Sequence, residues 1–168
     1  MTQLPLKVPS LLRNQCLIGG EWIDADSRRT VAVRNPATGE TIAAVPQLGA
    51  AETTRAIDAA AAALPAWRAR TADNRAQLMR SWFDLMMANQ EDLAVLMTCE
   101  QGKPLSEARG EIVYAASFIE WFAEEGRRIY GEVIPSPWPD RRIIAVREPV
   151  GVCAAITPWN VPAAMITR

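Results

Sequence analysis

Apolar residues fall at helical spacing through the middle of the chain and in short strand-like runs towards both ends. The most informative run is the last. Val150 to Ile156 is almost uninterruptedly apolar, as expected of a strand buried on both faces. Thr157-Pro158-Trp159-Asn160 then breaks it, because Pro158 lacks an N–H and disfavours helix for the residue before it. Pro162 stands where a helix can start, since the first helical position tolerates a missing N–H. The segment therefore reads as strand, tight loop and helix start, with Trp159 and Asn160 at the carboxyl end of the strand. Open parallel sheets hold their ligands there. Arg168 falls about two turns into the expected helix, and an end inside an element reads as part of a longer protein.

Earlier in the chain, Met1 to Asn14 is aperiodic and contains proline, which predicts an arm on the surface. Leu17-Ile18 and Trp22-Ile23 flank Gly19-Gly20, a hairpin with a two-glycine turn. Val31 to Arg34 and Thr41 to Val45 flank Asn35-Pro36-Ala37-Thr38-Gly39, a second hairpin with glycine at its left-handed position. Gly19-Gly20 is not a phosphate loop, because no helix follows to offer its N-terminus.

Four helices come next. Gly49 opens the first, with Glu52 in a capping-box arrangement and Ile57, Ala60, Ala61, Leu64 and Trp67 in one stripe. Pro65 is expected to end or bend it. Thr71 caps the second, whose Leu78, Met79, Trp82, Phe83 and Met86 share a face. Asn89 is expected to cap the third, which carries Leu93, Leu96 and Met97 and stops at Gly102 before Pro104. The fourth is expected to run from Leu105 to about Tyr130. One of its stripes is Leu105, Ala108, Ile112, Ala115, Ile119 and Phe122; the other is Tyr114, Phe118 and Trp121. A helix apolar on two faces packs between layers or against a second subunit. Core packing accounts for the aromatic row without a cofactor.

Residues 131–150 change character, with Pro135, Pro137 and Pro139 in a loop and Arg141 to Arg147 as a strand. Two neighbouring arginines in a chain of net charge −1 make no nucleic-acid surface. With 49% hydrophobic and 22% charged residues the composition is that of a soluble globular protein. No apolar stretch approaches the ~18 residues of a membrane span. The N-terminus does not read as a signal peptide. Three widely spaced cysteines, Cys16, Cys99 and Cys153, suit a reduced, cytoplasmic protein. The absence of histidine excludes Ser–His and Cys–His nucleophile pairs and histidine metal sites.

Candidate chemistry narrows to Asn160. Its short amide, on a loop braced by two prolines, can donate to a developing oxyanion. It is equally suited to cap the helix that follows, and the residues alone leave both readings open. Cys153 lies in the expected buried strand, and Cys99 near the C-terminus of a helix whose dipole opposes a thiolate, so neither is a good nucleophile. Gly126 and Gly131 end a helix without a lysine-serine sequel and form no P-loop.

The run Ile156 to Pro162 resembles the "PWN" segment of the aldehyde dehydrogenase superfamily. Leu17-Ile18-Gly19-Gly20-Glu21-Trp22, Asn35-Pro36-Ala37-Thr38-Gly39-Glu40, Glu100-Gln101-Gly102-Lys103-Pro104 and the block Ala116 to Glu125 match it in order and spacing. The last block, with Ala163-Ala164-Met165-Ile166-Thr167-Arg168, is similar to the NAD(P)-dependent succinate-semialdehyde dehydrogenase branch. Val161 stands where the family usually has an aromatic residue. The resemblance runs from about Cys16 onward and reaches roughly the first third of such an enzyme.

It implies an α/β fold: the N-terminal part of the aldehyde dehydrogenase fold, with β-hairpins, a four-helix layer and the first strand of a Rossmann-like parallel sheet. Residues 1–130 would hold the arm, hairpins and helices of the cofactor-binding domain. Residues 131–150 would be the β element of the oligomerisation region, and 151–168 the first Rossmann-like strand, the PWN loop and a helix start. Asn160 would stabilise the oxyanion. Ile156, Thr157, Pro158, Trp159, Asn160 and Arg168 would lie against NAD or NADP, with Arg168 also contacting the substrate. The implied reaction is oxidation of an aldehyde to an acid, foremost succinate semialdehyde to succinate, with glutarate semialdehyde or another ω-carboxylated aldehyde as the alternative. The cysteine and glutamate of that chemistry would lie outside these 168 residues, and the implied parent is a homo-oligomer with no nucleic-acid or membrane partner. A non-catalytic binding or dimerising module is the competing class.

Overall fold

A computed structural model describes residues 4–168. Residues 1–3 of the expected arm lie outside that range. Two hairpins open the fold. β1 (Cys16–Ile18) and β2 (Glu21–Ile23) pair antiparallel, Leu17 opposite Trp22, around Gly19 and Gly20 at φ +62° and +87°. Two consecutive positive φ angles are what a tight hairpin turn of right-handed twist demands. β3 (Thr30–Arg34) and β4 (Thr41–Pro46) form the second hairpin, with Ile42 and Ala43 buried. Its turn is closed by the Gly39 N–H donating to the Asn35 carbonyl (2.8 Å) and the Ala37 N–H donating to the Asn35 side chain (2.9 Å).

α1 (Ala50–Arg68) starts at Gly49, whose N–H donates to the Glu52 carboxylate (2.9 Å). A glycine cap has no side chain, so only this arm of the capping box forms. Glu52 also accepts the Asp26 N–H (3.0 Å), and Arg55 grips Asp26 through two bonds (2.7 and 2.8 Å). Pro65 lies inside α1, three residues short of its end, so it neither stops the helix there nor removes more than one bond near the C-terminus.

Thr71 caps α2 (Ala72–Ala88) by accepting the Asn74 N–H (3.2 Å). Asn89 does not cap α3 (Gln90–Gln101). Its side-chain amide donates instead to the Leu85 carbonyl (2.8 Å), closing the helix before it. In the first turn of α3, buried Asp92 accepts the Lys7 and Val8 N–H groups (3.0 and 2.7 Å), which ties down the arm.

Gly102 ends α3 at φ +83°, and a Cβ there would sit 2.8 Å from the Pro36 ring. α4 (Leu105–Glu125) is the central element and packs on both α2 and α3. Its Ala108, Ile112, Ala115, Ala116, Ile119 and Ala123 are buried, while Tyr114, Trp121 and Phe122 are exposed. α4 ends at Glu125 rather than near Tyr130, giving way at Gly126 to a tight 3-10 turn through Arg128. Glycine is a poor helix residue, and the turn is held by Arg127 and Arg128 pairing back to Glu124 and Glu125.

β5 (Glu132–Ile134) and β6 (Ile143–Ala145) make an exposed antiparallel ribbon, shorter than the expected Arg141–Arg147 strand. The largest departure is at Val150 to Ile156. This stretch joins no sheet and is exposed, with Val150 and Ile156 almost wholly so. A strand exists only through hydrogen bonds to a neighbour, and none of the described residues offers one. The last element is α5 (Ala164–Thr167), whose first i→i+4 bond runs from the Met165 N–H to the Val161 carbonyl (3.0 Å). Pro162 lies in the turn two residues before α5 begins, so the helix starts later than its proline suggests.

Candidate active site

The loop carrying Asn160 rests on the core between α3 and α4. Ala94, Met97, Ala108 and Ile112 form a buried cluster, and Ala163 packs against it. Ala164, the first residue of α5, is also buried. Small residues at these two positions bring the loop backbone close to α4, within reach of a side chain that the apolar stripe would not suggest.

That side chain is Glu111. Its carboxylate is 4% exposed and lies on the packed face of α4. One oxygen accepts the Ala163 N–H (2.9 Å) and the Ala164 N–H (3.4 Å). The other pairs with the Lys103 ammonium, itself only 13% exposed. Lys103 Nζ also donates to the Asn160 carbonyl (3.0 Å), and Gln101 Nε2 donates to the same oxygen (3.3 Å). The Gly102 turn between these two donors aims both at the loop.

The Asn160 side chain is exposed and makes no hydrogen bond among the described residues. It does not cap α5; Glu111 serves those amides. Trp159 is 79% exposed, and Ile156 is fully exposed at the end of the unpaired stretch. Ile156, Thr157, Pro158 and Trp159 thus form an apolar ledge leading to the free amide. A cavity of about 650 Å³ opens beside Trp159, between Val33, Pro36, Met97 and Glu100. Burial pushes the Glu100 carboxyl above its ordinary range.

Arg168 follows α5, its N–H bonded to the Ala164 carbonyl (3.0 Å). It is exposed, and its guanidinium is unpaired among the described residues. Because α5 is a single turn, Arg168 does not fall two turns into a helix begun at Pro162, as expected. Residues 159–163 are turn and bend instead.

Burial, and then the Glu100 charge, push the Cys99 thiol up. Cys153 is exposed, not inside a buried strand as expected, and its thiol donates to the Gly151 carbonyl (3.7 Å). Among the described residues no His, Cys, Asp and Glu group has the arrangement of a metal site. No described helix is long and apolar enough to cross a membrane.

Gln101, Lys103 and Glu111 are the site residues the sequence reading missed. Glu111 had a legible signal: it lies three residues after Ala108 and four before Ala115, so it interrupts the apolar stripe of α4 with a charge. Its pairing with Lys103 across the Gly102 turn had none.

The profile of the aldehyde dehydrogenase family matches residues 22–168. The chain is 64% identical, over 98% of its length, to the glutarate-semialdehyde dehydrogenase of Pseudomonas putida, covering 34% of that protein. It is 61% identical, over the same share, to the NADP-dependent succinate-semialdehyde dehydrogenase of Escherichia coli, again covering 34%. Among solved structures it resembles a succinate-semialdehyde dehydrogenase from Burkholderia pseudomallei, with a TM-score of 0.95 and 62% identity over 97% of this chain and 34% of that one. The chain spans about a third of the length of these relatives.

Proposed function

We propose that this chain, which belongs to the aldehyde dehydrogenase family, supplies the oxyanion donor of an enzyme that oxidises an ω-carboxylated aldehyde to the acid with NAD or NADP. The observation that carries this reading is the Asn160 amide: exposed, uncommitted to any cap, and on a loop whose backbone is held from below. The nucleophilic thiolate and the water-activating base come from outside these 168 residues. When the thiolate adds to the aldehyde, the former carbonyl oxygen takes the charge. A fixed amide donor aimed at that oxygen speeds the step by roughly 10²- to 10³-fold. Asparagine suits the task because it cannot lose its donors with pH.

A nicotinamide, when bound, accepts the hydride that leaves the substrate carbon. The ledge Ile156–Trp159 suits one face of such a ring, because the apolar side chains of Ile156 and Trp159 are open. Arg168 contributes a free guanidinium whose planar fork matches a carboxylate. Succinate semialdehyde is the first candidate substrate. Glutarate semialdehyde is the second, favoured by the 64% identity to an enzyme named for it. The β5–β6 ribbon presents Val133 opposite Ile144, 76% and 66% exposed, and would pair subunits of a homo-oligomer. Three free cysteines suit a cytoplasmic location.

The test compares kcat/KM of the full-length enzyme on succinate semialdehyde, glutarate semialdehyde and an uncharged aldehyde of similar length, with each cofactor. Arg168→Ala is expected to raise KM by about 10- to 100-fold for the carboxylated substrates and to leave the uncharged one nearly unchanged. Equal losses on all three would remove Arg168 from the substrate site and withdraw the assignment to semialdehydes.

A further inference from the structure

Three buried acids among the described residues each hold remote backbone amides: Glu52, Asp92 and Glu111. The first two fasten the link between the two hairpins, and the arm, to a helix start. Glu111 differs in having a largely covered cation as its second partner, and that cation reaches the loop beside it. An ion pair this deep costs desolvation, and apolar residues of equal volume would often be as stable or more so. Stability of the α3–α4 junction is therefore a poor reason for this pair, and what it holds is a better one.

It holds the backbone at Asn160 and again just after it. Lys103 and Gln101 fix the Asn160 carbonyl at 3.0 and 3.3 Å. Glu111 fixes the amides three and four residues later, Ala163 and Ala164. Because Glu111 and Lys103 also hold each other, the two anchors move as one. With the backbone pinned on both sides of Val161, the point at which the Asn160 side chain leaves the loop is fixed while the amide itself stays free of bonds.

We propose that Lys103 and Glu111 are positioning residues for Asn160, orienting its amide for the oxyanion while touching neither substrate nor cofactor. This rests on the oxyanion reading of Asn160. Loss of either anchor lets the amide swing, and a misplacement of about 1 Å at such a donor can cost roughly 10²-fold in rate.

The experiment is a double-mutant cycle in the full-length enzyme with cofactor bound, reading single-turnover hydride transfer, KM, cofactor affinity and the thermal midpoint. Lys103→Met is expected to slow hydride transfer at least tenfold, with little change in KM or cofactor affinity. Lys103→Arg, which keeps the donors, should recover most of the rate. In the Asn160→Ala background Lys103→Met should cost nothing further, because there is no amide left to orient. If Lys103→Met does not fold, Glu111→Gln, which keeps shape and an acceptor, is read in the same cycle and should show the same non-additivity. Rate losses that multiply with that of Asn160→Ala, or normal rates in both anchor variants, would overturn the positioning role while leaving the oxyanion reading intact. A harmless Asn160→Ala would sink both.

Discussion

Producing residues 1–168 with nothing appended should give a chain that self-associates. A compact monomer of 18.5 kDa exposes about 8,200 Å². This chain exposes 11788 Å², an excess of about 3,600 Å², whereas a standard protein interface buries about 1,600 Å² in total. Much of the excess is apolar. Val150, Ile156 and Trp159 are more than three-quarters exposed, as is Val133 on the ribbon. On the helices Ile57, Trp67, Trp82, Leu85 and Trp121 are also open. Patches of this extent do not stay in water when another copy is available. The unpaired backbone of 150–156 adds N–H and C=O groups seeking a strand partner. Sedimentation velocity at micromolar concentration should show a broad, heavy distribution, with binding of an apolar dye and a weakly cooperative melt. A single sharp boundary at 18.5 kDa with a cooperative two-state melt would refute the reasoning.

Two further predictions concern full-length protein. Gly102→Ala should lower unfolding free energy by about 1–2 kcal/mol from the left-handed backbone alone, and the Pro36 ring 2.8 Å from the new Cβ adds to that; a neutral result in denaturant titration would contradict the turn geometry. Glu52 has its carboxyl held below its ordinary pKa, first by the Gly49 N–H and then by the Asp26 N–H. Its contribution is therefore complete above the unfolded value of 4.5 and is lost as pH falls through the depressed folded value. Glu52→Gln should lower the unfolding midpoint at neutral pH, with the gap from wild type closing in acid; a gap constant with pH would contradict the assigned hydrogen bonds.

Local chemistry made much of the fold legible. The Gly19-Gly20 and Gly39 turns, the Gly49 and Thr71 helix starts and the Gly102 stop follow from what each residue permits its own backbone. The failures share a physical cause, which is that their outcome depends on partners distant in sequence. Val150–Ile156 has the composition of a buried strand, but composition supplies no neighbour to pair with. Asn89 sits between two helices that compete for its one amide, and Leu85 wins. At the site, Asn160 was legible as a short amide on a proline-braced loop. Its freedom from capping was not, because that depends on Glu111, fifty-two residues from Ala163 in sequence, arriving at the same amides.

The central claim is that the Asn160 amide meets charge as it develops on the substrate oxygen. The most direct test is the turnover of Asn160→Ala in the full-length enzyme, measured beside cofactor affinity. The account predicts a kcat lower by roughly 10²- to 10³-fold with cofactor affinity nearly unchanged. Near-normal turnover, or a loss explained wholly by weaker cofactor binding, would contradict it.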